Sequence, residues 1–422
     1  MNHKEVVMKS KNRISTLTPD EARKLHEEAL VIDSQQPGIT SGMLFTDNMK
    51  NMLDEYVKQG LSRFEIAVLL RDMAVDEIRD SAEARNEYLQ TWEKSGVNVA
   101  SGTYAGPSSQ EAAYDESLTT MTQARSMIDA LDDEVRLVLT ADDIENVYKD
   151  GKRGVIFDFQ NTVPFGTDLD RISLFKDLGL RVVQLTYNLR NYAGDGCTER
   201  YKTGLTYFGI ELVERLNDLN MAVDVSHCSE QVGWDAIEVS TSPVIITHSA
   251  SNAVTYHDRG KGDELAKAIA NQGGYFGVAL IGGFLSETTE ITLDHFVDHV
   301  EHLVKVMGID HVGIGCDKCG PGPGTESQVL FPDELGPFQT SHLYMDNPGP
   351  RINPWGKSKN RFEWLGFRPE HRLSDAHRID GFDDFIDWPN VTLKLAERGF
   401  NEEELRKLLG LNYLRVFRDI VG

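Results

Sequence analysis

The chain holds only four cysteines in 422 residues. That is too few to staple a fold of this size, so a disulfide framework is excluded and a reducing, cytoplasmic setting is expected. Basic residues are outnumbered, 43 Lys and Arg against 67 Asp and Glu, which leaves a formal net charge of -24. A field of that sign repels phosphate backbones and anionic lipid surfaces, arguing against nucleic acid and membrane as partners. No apolar run approaches the roughly 20 residues of a membrane span. The opening stretch, MNHKEVVMKSKNRISTLTPDEARK, carries charge without the apolar segment of a signal peptide. Low-complexity tracts are also missing. With 40% hydrophobic and 26% charged residues, composition is that of an ordinary globular chain and excludes disorder.

What the sequence does have is a regular alternation. Short apolar runs, each ending in a polar residue and followed by a helical stretch, recur from residue 30 to residue 317, the pattern of parallel βαβ units. They predict eight strands, at Leu30–Ser34, Val97–Thr103, Val155–Gln160, Val182–Tyr187, Ala222–His227, Val244–His248, Tyr275–Leu280 and Val312–Asp317. Eight parallel strands with intervening helices close into a (β/α)8 TIM-type barrel, here read as one domain over residues 1–422, with its working site at the C-terminal mouth. Two stretches interrupt the pattern. Residues 38 to 94 form a helical insertion, too short for a core of its own and read as a flap or interface element. Residues 320 to 380 begin with Gly320-Pro321-Gly322-Pro323-Gly324 and continue irregularly, with Trp355, Phe362 and Trp364 expected to pack over the mouth.

The polar residues that close the strands, Gln35, Gln160, Tyr187, His227, His248 and Asp317, should converge on that mouth. A lone histidine at a strand end is more often a hydrogen-bonded structural residue than a ligand. Two on consecutive parallel strands, about 4.8 Å apart, can meet on one ion or one substrate atom. Asp317 could bind a metal, activate a water or receive an ammonium group; its ordinary reading is a turn or helix cap. His295, His299 and His302 fall at helical spacing, but Leu293, Phe296, Val297 and Val300 mark the buried face, so these histidines read as a solvated face. Cys316 and Cys319 have redox-motif spacing without the following helix, and read as incidental.

In order along the chain, Leu30-Val31-Ile32-Asp33, Gly204-Leu205-Thr206-Tyr207-Phe208-Gly209, Val223-Asp224-Val225-Ser226-His227, Pro243-Val244-Ile245-Ile246-Thr247-His248-Ser249, His257-Asp258-Arg259 and Gly313-Ile314-Gly315-Cys316-Asp317 resemble the renal (membrane) dipeptidase family. These are zinc peptidases on an amidohydrolase-like barrel. The resemblance implies two zinc ions joined by a glutamate, one held further by a His-x-Asp pair and the other by two histidines, and it implies a homodimer. His227 and His248 match the two histidines, Arg259 the arginine that receives the substrate carboxylate, and Asp317 the carboxylate that acts on the water nucleophile.

Departures from the family pattern are concentrated on the other ligands. Gln35-Gln36-Pro37 stands where the His-x-Asp pair belongs, Gln160 replaces the bridging glutamate, and Tyr187 replaces a substrate-polarising histidine. Two neighbouring divalent ions need anionic ligands to offset their repulsion, and Gln and Pro supply none. One ion on His227 and His248, with Asp317 or Gln160 completing the shell, is one expectation, zinc being the first choice of metal. The other is a metal-free site, with His227 or His248 as acid/base and Tyr187 as donor to an oxyanion. In either case Arg259, Tyr187 and Gln35 are expected to contact the substrate, and Asp317, Tyr187 and His248 to carry chemistry. The functional expectation is a dipeptidase-like hydrolase acting on a small substrate with a carboxylate. The alternatives are a metal-independent hydrolase or lyase on a small amino-acid derivative, and a non-catalytic binding relative.

Overall fold

Alternate residues on the strands meet two different surroundings, and this alternation builds the architecture. In the computed structural model, which describes residues 15–422 apart from 41–42, 60–62, 107–109, 289, 319–365, 368–370 and 372–378, nine parallel strands form one sheet. They are β1 (Ile32–Asp33), β2 (Val99–Thr103), β3 (Val135–Leu137), β4 (Arg153–Phe159), β5 (Leu180–Gln184), β6 (Ala222–Asp224), β7 (Ile245–Ser249), β8 (Tyr275–Val278) and β9 (Val312–Ile314). Val31, Ala100, Val155, Phe157, Val183, Val223, Ile246 and Phe276 join the apolar layer shared with the surrounding helices. Their neighbours Ile32, Val99, Ile156, Val182, Ala222, Ile245 and Tyr275 form a second cluster inside the barrel, with Tyr413, Val416 and Phe417. Such period-two partition is what parallel strands covered on both faces require.

The hydrogen-bonded path runs β1-β2-β4-β5-β6-β7-β8-β9, and its two ends meet where the Ser34 amide donates to the Ile314 carbonyl at 3.1 Å. All eight expected strands are present. The additional β3, only three residues long, pairs with the first residues of β4; nothing in Val135-Arg136-Leu137 distinguishes it from a loop. The last helix, Asn412–Val421, packs against β6, β8 and β9. It seals the barrel at the strands' N-terminal ends, where Tyr413 meets Tyr275 edge-on at 5.2 Å. Above this apolar floor the interior positions turn polar, and Ser101, Asp158, Gln184, Asp224 and Thr247 are all fully buried.

The expected insertion at residues 38–94 is helical in its described residues, with helices Asp47–Lys58, Arg63–Asp80 and Ala82–Ser95, the last ending one residue beyond it. Met49, Leu53, Ile66, Leu70 and Ile78 place them in the same continuous apolar cluster as the outer strand faces. Trp355, Phe362 and Trp364, expected over the mouth, lie outside the described residues. Nearby, Phe367 sits 6.3 Å from Phe284 between ring centres, and His371 Nε2 lies 3.0 Å from the Asp258 carboxylate beside the Arg259 loop.

Candidate active site

His248 lies within β7 and His227 three residues beyond β6, so adjacent strands deliver both rings to the mouth. Their Nε2 atoms meet at 2.9 Å. Each ring is anchored through its other nitrogen: His227 Nδ1 lies 2.7 Å from Asn188 Oδ1, and His248 Nδ1 lies 2.9 Å from Thr247 Oγ1. Burial, reinforced by the Arg259 charge, holds both imidazoles well below the ordinary histidine range, so both are neutral. Tyr187 stacks on His227, ring centres 4.2 Å apart and 19° from parallel.

Arg259 is fully buried and, among the described residues, has no carboxylate as a hydrogen-bond partner. Its Nη1 donates to the Ser226 carbonyl at 2.5 Å, and its Nη2 to the His248 carbonyl at 3.2 Å and toward His227 Nε2 at 3.3 Å. The guanidinium Nε is buried with no partner among the described residues. Lys261, also buried, donates to the Cys228 carbonyl at 2.5 Å. Asp317 follows β9 in the left-handed region, φ 54, a conformation Asp tolerates better than most residues. Its carboxylate lies 3.8 Å from His248 Nε2. Burial raises its pKa to about 7, against the opposing pull of Arg259.

The opposite side of the mouth is built differently. Gln35 is fully buried; its Nε2 donates to Thr103 Oγ1 at 2.6 Å and reaches Asp158 at 3.3 Å, and its Oε1 lies 3.4 Å from Thr247 Oγ1. Gln35, expected to contact substrate, has its amide hydrogen-bonded inside the barrel. Gln160 Nε2 donates to the same Thr103 hydroxyl at 2.8 Å, which leaves its amide oxygen as the one donor atom it could offer an ion.

These residues fit one divalent ion and not two. Donors on one tetrahedral zinc ion, each about 2.0–2.1 Å from it, lie about 3.3 Å apart. The observed 2.9 Å between the imidazole nitrogens and 3.8 Å from His248 to Asp317 bracket that value. On the Gln35 and Gln160 side, among the described residues, the buried Asp158 carboxylate is already hydrogen-bonded to Ser101, Thr103 and Gln35, and neither glutamine supplies the charge a second ion needs. Among the described residues, no three His, Cys, Asp or Glu side chains already stand as a metal-binding group.

Several participants were not singled out from sequence. Asn188, Thr247, Thr103 and Asp158 stand behind the first line of residues, and nothing in their local spacing marks them. Asp158, buried two residues before Gln160, is pushed up to about 7 chiefly by burial. The reading of His299 as solvated is also corrected. It is fully buried, accepting from the Ser251 amide at 3.0 Å and lying 3.1 Å from the Leu285 carbonyl. It thus ties helix Leu293–Met307 to the chain just beyond β7. A polar flank of Asp298 and Glu301 disguised this, because helical periodicity does not register a loop lying against one turn.

Comparison with known proteins agrees with this picture. The membrane dipeptidase family, peptidase family M19, matches residues 46–326 and 374–421. The Claviceps purpurea protein called Dipeptidase tcpJ is 25% identical over 291 residues, which cover 68% of this chain and 56% of that relative's length. Among solved structures, an amidohydrolase from Pseudomonas aeruginosa superposes with a TM-score of 0.70 at 24% identity, covering 96% of this chain and 100% of the other. A metallo peptidase from Rhodobacter sphaeroides, liganded with a phosphinate mimic of the dipeptide L-Ala-D-Ala, superposes at 0.66 with 18% identity, covering 93% of this chain and 99% of the other. At these identities the structural likenesses establish the barrel, and the family match establishes the lineage.

Proposed function

The chain belongs to the membrane dipeptidase family, and from that premise we propose that it hydrolyses the peptide or amide bond of a small substrate bearing a free carboxylate, with the help of one divalent ion, zinc first among the candidates. The observation that carries this reading is the convergence of two neutral imidazoles at 2.9 Å beside a buried arginine with no carboxylate partner among the described residues. His227 and His248 would hold the ion, with Asp317 as third donor or acid/base. When bound, a divalent ion supplies Lewis acidity and lowers the pKa of a nearby water.

The remaining work falls to the chain's own groups. Arg259 presents a planar fork suited to a carboxylate, and Lys261 behind it adds a second buried positive charge. Asp317, raised to about 7 by burial, is poised to take a proton from an attacking water and return it to the leaving amine near neutral pH. Tyr187, stacked on His227, takes the role of a hydrogen-bond donor to the developing oxyanion.

A panel of dipeptides that includes L-Ala-D-Ala, the pair mimicked in the Rhodobacter sphaeroides complex, tests the reading. Turnover that is lost on chelation and restored by zinc or manganese is the expected result. Failure of every small amide, with and without added metal, overturns it.

One observation favours a second reading. Arg259 Nη2 already points at His227 Nε2 from 3.3 Å, so a metal-independent hydrolase or lyase could use these imidazoles directly. Turnover that survives exhaustive chelation selects that alternative. A cytoplasmic homodimer completes the proposal. The buried free thiols Cys197, Cys228 and Cys316 are in keeping with a reducing compartment, and the family resemblance is the ground for the dimer.

A further inference from the structure

A histidine can offer Nε2 to a metal or a proton only if its own proton sits on Nδ1, and the residue that accepts from Nδ1 decides this. His227 Nδ1 faces Asn188 Oδ1 at 2.7 Å. A carboxamide oxygen only accepts, so the ring proton belongs on Nδ1. The same oxygen also receives the Cys197 thiol at 3.2 Å, which fixes which way the amide points. The backbone holds Asn188 in place: its φ is 57, and its carbonyl accepts from the Thr198 amide at 3.0 Å. Gly196 approaches so closely that a Cβ there would lie 1.9 Å from the Asn188 carbonyl carbon.

His248 is set by a different device. Its Nδ1 lies 2.9 Å from Thr247 Oγ1. That hydroxyl has a single proton, which it gives to the buried Asp224 carboxylate, so toward His248 it can only accept. Asp224 is itself oriented by the Ser226 amide at 2.8 Å and the Ser226 hydroxyl at 2.5 Å. Thr247 cannot drift, because its carbonyl accepts from Ser34 Oγ at 2.6 Å. A Cβ on Gly277 or Gly315 would come within 2.0 and 2.2 Å of that carbonyl oxygen, so β8 and the chain just past β9 both press against it.

Both rings therefore turn bare lone pairs toward one point, 2.9 Å apart, with the Arg259 Nη2 donor 3.3 Å from the His227 nitrogen. Two acceptors at that separation repel unless an electrophile lies between them. We propose that Asn188 and Thr247, the latter backed by Asp224, are positioning residues that lock His227 and His248 in the Nδ1–H tautomer, so that the pair is preorganised to receive a cation. The use made of the pair rests on the dipeptidase reading, but the tautomers do not, and the two can fail separately.

The test uses the full chain labelled with nitrogen-15 histidine and stripped of metal, with ring signals assigned by His227→Gln and His248→Gln. At slightly alkaline pH, nitrogen-15 spectra should show both rings protonated at Nδ1. Thr247→Val should release the His248 tautomer alone, Thr247→Ser should restore it, and Asn188→Leu should release His227 alone. Zinc affinity, read by competition with a chromophoric chelator, should fall about 10- to 100-fold in Thr247→Val and Asn188→Leu, and by much less in Thr247→Ser. A wild-type ring protonated at Nε2 overturns the proposal, and so does a Thr247→Val protein whose tautomer and zinc affinity are unchanged. Should either truncated variant fail to fold, the wild-type tautomers and the Thr247→Ser protein still decide the matter. Correct tautomers in a protein without dipeptide turnover would leave this inference standing and remove the proposed reaction.

Discussion

The two sides of the barrel mouth are made of similar strand ends and do opposite things with them. On the β6 and β7 side, His227 and His248 are tied down through one nitrogen and leave the other aimed at a shared point. On the β1, β2 and β4 side, Gln35 and Gln160 turn their amides onto the one hydroxyl of Thr103. The first side keeps unspent electron pairs and is built to receive something. The second has spent its donors on itself and is built to hold its shape. A ligand site is thus recognised less by which polar residues are present than by whether their hydrogen-bonding capacity is still open.

If that division is real, mutations on the two sides should have opposite signatures. His248→Ala should lower kcat/KM by about 1,000-fold or more and abolish stoichiometric zinc binding, since it removes a group that acts with its partners as a unit. Kinetics and elemental analysis on the same sample check this, and retention of both would break the comparison. Thr103→Val should do the reverse. It strips the acceptor from two buried amides and a donor from Asp158, at a cost of about 1–3 kcal/mol in urea unfolding, while kcat/KM changes less than about threefold. A large kinetic loss without destabilisation would place Thr103 in the chemistry and erase the distinction.

A third, smaller effect lies beyond β7, where His299 braces the chain after His248. Burial holds its pKa down to about 4, below the ordinary 6.5 of the unfolded chain. Between those values the unfolded state binds a proton that the folded state refuses, so stability falls as pH drops from about 6.5 toward 4. The contribution approaches about 2 kcal/mol by pH 4.5. Unfolding of wild type and His299→Gln at pH 7.5 and 4.5 isolates it, because the other titrating groups are common to both proteins. The gap between the two proteins should shift in favour of the variant at the lower pH.

How much of this was legible in the sequence follows from the range of the forces involved. The barrel was readable because strand signals are local: each run such as Val244-Ile245-Ile246-Thr247-His248 declares itself as a short apolar stretch closed by polar residues. Three-residue β3 was not, being too short to show any period. The positions of His227, His248, Asp317 and Arg259 were readable from strand ends and motif order. The loss of carboxylate ligands at positions 37 and 160 could likewise be read directly. What could not be read was which polar side chains would pair off across strands. The hydrogen bond that the Gln35 amide donates to Thr103, 68 residues away in sequence, has no local signature. His299 looked solvated until the Leu285 carbonyl and Ser251 amide were seen against it. Asn188 and Thr247, which set the histidines, are ordinary residues whose importance lies in one hydrogen bond each.

The central claim is that one side of this mouth still holds an ion and the other no longer does. Its most direct test is the zinc and manganese content per chain of protein purified without chelator and then dialysed against excess zinc. The account predicts one tightly held ion per chain, lost in His248→Ala. Two ions per chain would show that Gln35 and Gln160 have not closed their side of the mouth, and none would show that the open side receives a proton or a substrate instead.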